Sequence, residues 1–142
     1  MKKIVFLLIT VFLLAISSVA LASNSSVLGN EDKIVNSVLK AVTTSGDTYG
    51  QISLNFTPEL QKKLTADAFS KMKKQISDNY GSLKESKLFT VEKFDKADRL
   101  VYLGSFAKQK VVKLTFVFNT TEKVMLSDFD LRPVDLSKQQ NK

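Results

Sequence analysis

Apolar residues recur at helical spacing from Ile34 to Tyr80 and at alternate positions from Lys87 onward. This one change of period restricts the chain to helices first and a sheet second. Ile34, Val35, Val38, Leu39 and Val42 set one stripe on a helix over 31–44. Asn30 is its expected N-cap, with Glu31 and Asp32 in the first turn, and Ser45-Gly46-Asp47 breaks it. From Tyr49 to Leu64 the signals conflict. Ile52, Leu54 and Phe56 alternate, whereas Thr57-Pro58-Glu59-Leu60 has the cap and the proline of a helix start. The reading is a short helical or irregular piece and then a helix over 58–64. Thr65 caps the next helix, which runs to Tyr80, stops at Gly81 and buries Phe69, Met72, Ile76 and Tyr80.

Beyond Lys87, Phe89, Val91 and Phe94 suggest a first strand that ends at 95–98. A second strand over 99–107 shows Leu100, Tyr102 and Phe106 on one face and Val101 and Leu103 on the other. The strand over 111–119 is the most hydrophobic, with Val112, Leu114, Phe116 and Phe118 on one side. A last strand over 124–131 precedes Pro133. No strand–helix alternation occurs, so the expected class is α+β, with N-terminal helices on one face of an antiparallel sheet of about four strands. The stripe Phe69, Met72, Ile76 and Tyr80 should lie against Val112, Leu114, Phe116 and Phe118.

The N-terminus carries an address. Lys2 and Lys3 precede an apolar run over 4–16, and Ala20-Leu21-Ala22 forms a small-x-small site. This reads as a secretory signal peptide over 1–22, giving a secreted or periplasmic chain that begins at Ser23. The alternative is an uncleaved anchor, because the apolar stretch approaches spanning length. Residues 23–30 read as a flexible leader, 31–134 as a single domain and 135–142 as a polar tail.

The chain contains neither cysteine nor histidine. Packing alone must hold an exported domain that has no disulfide. Ser-His-Asp and Cys-His arrangements are excluded, and zinc, copper and haem lose their usual ligands, so no cofactor or metal is expected. With Lys2 and Lys3 removed, the balance is about +5, carried almost wholly by lysine. Nucleic-acid readers favour arginine for bidentate contacts, so no nucleic-acid partner is expected.

Several short motifs fall in one order: Ser45-Gly46-Asp47-Thr48-Tyr49, Phe56-Thr57-Pro58-Glu59-Leu60, Leu64-Thr65-Ala66-Asp67-Ala68-Phe69, Tyr80-Gly81, and a closing 125–133 segment. This pattern, over about residues 34–133, resembles a family of small exported prokaryotic domains, domain of unknown function 3887. The resemblance implies an α+β domain similar to the nuclear transport factor 2-like and cystatin-like superfamily. There a curved sheet wraps around helices in a cone and can enclose a pocket. Ser127-Asp128 stands where the family keeps an apolar-glycine pair. Enzymes of that superfamily use Asp, His or Tyr in the cone, and no catalytic residue carries over to this histidine-free chain.

Three groups of residues are candidate sites. Asp128 and Asp130, two apart on a strand, share a face and could share a proton, bind a cation or simply face water. Tyr102, Phe116 and Phe118 could floor a ligand pocket roofed by Phe69, Met72 and Tyr80, or could be the helix–sheet core. Lys62, Lys63, Lys71, Lys73 and Lys74, and separately Lys108, Lys110 and Lys113, could meet an anionic envelope polymer or be solvated faces. The leading functional reading is an exported, non-enzymatic binding or interaction module for an unknown small ligand or protein, using the cone or an exposed strand edge. The alternatives are a histidine-free isomerase or lyase using Asp128, Asp130 or Tyr102, and an envelope-associated protein drawn to anionic surfaces.

Overall fold

The computed structural model describes residues 28–46 and 48–135. The expected signal peptide over 1–22, most of the expected leader over 23–30 and the expected tail beyond Asp135 lie outside the described residues. The chain divides into two units, Met1–Lys33 and Ile34–Lys142, and the second holds the sheet.

Helix α1 spans 28–43, so Asn30 lies inside it and is not its cap. Leu28 explains the earlier start: it stands seven residues before Val35 and fourteen before Val42, on the same helical stripe. A short α2 (Tyr49–Ile52) runs into a 3-10 turn (Ser53–Asn55), which settles the conflicting middle segment as helical. In α3 (Pro58–Lys63) Thr57 is the N-cap, its hydroxyl accepting from the Leu60 N–H at 3.3 Å. In α4 (Ala66–Tyr80) Thr65 does the same for Ala68 at 3.3 Å. Gly81 ends α4 at φ 75°, a region that favours glycine, while its N–H still donates to Ser77 O.

The four strands β1 (Leu83–Lys93), β2 (Ala97–Phe106), β3 (Val112–Asn119) and β4 (Met125–Pro133) form an antiparallel meander in sequence order. The architecture is α+β, helices followed by a four-stranded antiparallel sheet. β1 begins at Leu83, four residues before the change of period, because a polar stretch can pair with β2 without supplying apolar alternation. The register of β1 slips at Lys84 and at Phe89, and that of β4 slips at Ser127. Each slip leaves one extra residue and switches the faces on its two sides. Hence Phe89 and Val91 do not act as one apolar face: Val91 stands opposite Leu100, and Leu88 opposite Tyr102.

Val112, Leu114, Phe116 and Phe118 are fully buried, and Leu100, Tyr102, Phe106 and Leu126 join them on the inner face. Each such side chain contributes roughly 1.5–3 kcal/mol by leaving water. Rings connect the layers. Phe116 stacks on Phe129 at 6.0 Å and meets Tyr102 edge-on at 5.9 Å. Phe129 reaches Phe56, Phe56 reaches Tyr49, and Tyr49 lies 5.6 Å from Phe69 of α4. At the other end of α4, Tyr80 packs edge-on against Phe106 at 5.6 Å. Both expected stripes therefore face inward, but α4's rings reach β2 and the α2 region, while Phe116 of β3 pairs with rings of the sheet.

Candidate functional site

Helix α4 and edge strand β4 leave a groove between them of about 200 Å³. Met72, Ile76, Tyr80, Phe129 and Leu131 supply its apolar lining, and Gln75, Asn79 and Asp130 its polar rim. Thus three of the eight candidate residues, Met72, Tyr80 and Asp130, come together. The groove is smaller than the roughly 300–1,000 Å³ usual for a small-molecule pocket and suits a single side chain. Tyr102, Phe116, Phe118 and Phe69 are core residues. Tyr102 and Phe116 meet edge-on within this core, and none of the four lines the α4–β4 groove.

The aspartates sit on the opposite face from Tyr102. Asp130 stands across from Thr115, and Asp128 across from Val117, both outer-face positions. The Asp130 carboxylate is bound to the Arg132 guanidinium at 2.5 Å. Asp128 Oδ1 accepts from the Phe129 N–H at 3.0 Å. With the tyrosine inside and the carboxylates outside, the three groups do not share one reaction centre. Among the described residues, no group of three or more carboxylates could hold a metal ion.

Asp128 instead belongs to a set of devices that close the β4 edge. Phe56 bridges to Leu126, and the Thr57 N–H donates to Leu126 O at 2.9 Å. The Tyr80 hydroxyl approaches Leu131 O at 3.5 Å. Asp128 occupies the Phe129 N–H, and Pro133 has no N–H to offer.

The β1 edge differs. The Phe94 N–H donates to Ala97 O, which sets the phase of the β1–β2 ladder. Alternation then directs the N–H and C=O groups of Val91, Lys93 and, beyond the bulge, Ser86 away from β2. No described strand pairs with that side. Leu88, Phe89 and Phe94, exposed at 41, 69 and 56 %, place three of the four exposed large hydrophobic residues described on or just past this strand. A shallow groove of about 360 Å³ adjoins it, with Leu88, Phe89, Leu103 and Val111 as its apolar lining and Lys87 and Lys110 among its charges.

Charge along β1 is paired, within the groove at Lys87 and beyond it toward Phe94. Lys87 pairs with Glu85 at 2.9 Å, and Lys93 reaches the buried Asp98 at 2.6 Å. Arg99 pairs with Glu92 and lies 5.7 Å over the Phe94 ring. The hydrogen bond from Arg99 holds the Glu92 carboxyl below the usual range and raises the guanidinium.

Of the groove residues, sequence reading picked out Phe89 only as a strand former, and it missed Leu88, Leu103 and Val111 as a surface. The available signal was the adjacent pair Leu88-Phe89. Two consecutive apolar residues in an otherwise polar strand require a bulge or apolar side chains on both faces.

In comparisons with known proteins, no family model and no curated protein matches this chain.

Proposed function

We propose that this protein is an exported, non-enzymatic interaction module that captures an extended polypeptide segment along β1. The observation that carries the reading is the contrast between the two sheet edges. β4 is occupied by a bridge, a side-chain cap and a proline, while no described strand pairs with the outward backbone groups of β1 beside an apolar groove. Strand addition takes its affinity from such main-chain groups and its selectivity from pockets for alternate side chains. A fitting segment alternates apolar residues, one of them seated against Phe89, Leu103 and Val111, with acidic residues near Lys87 and Lys110.

Export rests on the signal segment, and mass spectrometry of the secreted protein should show Ser23 as the first residue. Kinship with nuclear transport factor 2-like domains is part of the same reading. It draws support from the helices-then-sheet order and from bulges that strengthen sheet twist.

Peptides selected from a displayed random library provide the test. Their binding should shift the amide resonances of Ser86, Val91 and Lys93, and Phe89→Lys should abolish it. Selected peptides that perturb Gln75 and Asn79 instead would move the site to the α4–β4 groove and reject the β1 reading.

A further inference from the structure

The outer face of the sheet carries a second feature. Strand register places Lys87, Leu103, Lys113 and Arg132 in one row across all four strands. Lys113 and Arg132 are direct cross-strand neighbours, an opposition of like charges that costs stability. Arg132 is partly offset by Asp130 and Lys87 by Glu85, but both pairs are well exposed and worth little. Lys113 is exposed and makes no ion pair among the described residues. The adjacent row runs Thr90, Val101, Thr115 and Asp130: two hydroxyls flank an apolar residue, and the carboxylate at its end is the one paired with Arg132.

At a strand spacing of about 4.8 Å, Lys113 and Arg132 stand close enough to hold one phosphate group, and Lys87 is roughly 10 Å farther along. A single small anion cannot use all three cations. A chain whose phosphates are separated by uncharged, hydroxyl-bearing units can, with the units resting on Leu103 and Val101 within reach of the threonine hydroxyls. We propose that this face binds a linear phosphodiester polymer of the cell envelope, laid across the strands. Lys113 and Arg132 hold one phosphate and Lys87 the next. The row shares Lys87 and Leu103 with the β1 groove, whereas Lys113 and Arg132 lie outside it, so replacing that pair tests this inference apart from the β1 reading.

Titration of the purified protein with poly(glycerol phosphate) at several salt concentrations tests this. Replacing Lys113→Ser together with Arg132→Ser should weaken binding by roughly five- to thirtyfold. It should also flatten the dependence of log affinity on log salt by about one, for the one phosphate that the two cations hold together. Lys62→Ser with Lys63→Ser removes the same charge from α3 and should leave affinity within about twofold, because exposed charges beyond a Debye length are screened. Equal weakening in both variants would reduce the effect to net charge and overturn the proposal. So would the absence of binding at ~0.05 M salt, or tighter binding of inorganic polyphosphate at equal phosphate concentration.

Discussion

Leu126 and Phe129 stand an odd number of residues apart on β4, yet both face the core. Leu126 is paired with Phe118, and Phe129 stacks on Phe116. In an uninterrupted strand they would point to opposite faces. Ser127 is the extra residue that reconciles them, and its hydroxyl donates to Val117 O at 3.0 Å across the irregularity.

Deleting Ser127 should therefore cost far more than altering its side chain. Deletion forces either Leu126 or Phe129 toward water and should cost about 3 kcal/mol or more. Ser127→Ala removes one hydrogen bond and should cost about 1 kcal/mol. Denaturant unfolding of the two variants measures the difference, and equal losses would mean that β4 tolerates either register.

Phe116 is completely buried between Tyr102 and Phe129. Phe116→Ala should cost about 3–5 kcal/mol, a large share of the stability of a domain without disulfides. Lys113→Ala, on the outer face opposite Arg132, should cost nothing or stabilise slightly by removing a like-charge contact. Thermal midpoints of the two variants should separate widely.

Two glycines are fixed for different reasons. At Gly81, φ 75° disfavours any side chain, and an added Cβ would come within 3.1 Å of Ala107 Cβ. At Gly104 the backbone is ordinary, but an added Cβ would lie 3.0 Å from Leu114 Cδ1 and 3.2 Å from Phe106 Cε2. Each change to alanine should cost about 1–3 kcal/mol, Gly81 through strain and Gly104 through overpacking. Chemical denaturation of both variants checks this.

The Glu92 carboxyl titrates below its usual range because Arg99 donates to it. A depressed carboxylate contributes stability above its unfolded value, and this contribution is lost as pH falls through the folded value. Both groups are exposed, so the clear readout is the titration itself. Arg99→Gln should raise the Glu92 midpoint in a carboxyl-resolved NMR titration, and an unchanged midpoint would remove Arg99 as its cause.

Local signals explain what the sequence made legible. Thr65 and Gly81 bound α4 at the expected residues because a hydroxyl cap and a positive-φ glycine act within one helical turn. The buried face of β3 was readable because a central strand alternates without interruption. β4 gave a conflicting pattern, with Leu126 and the aspartates in phase, and nothing local to Ser127 announces a bulge. The edge status of β1 was hidden for another reason. It depends on which strands pair, a property of the whole meander, and polar residues such as Lys84 and Glu85 join a strand without showing its period. Burial of Tyr102, Phe116 and Phe118 was legible, but their period does not separate core from pocket, because aromatic residues at strand spacing fill a core as readily as they line a cavity.

The unequal edges of the sheet also set a limit on stoichiometry. A sheet that can accept a strand on both sides is bivalent, and repeated addition yields an open fibre. Here, among the described residues, one side is spoken for by Phe56, Asp128 and Pro133, so the strand capture proposed for β1 would be monovalent. On that proposal any union through β1, whether with a foreign segment or with a second copy, would terminate after a single event.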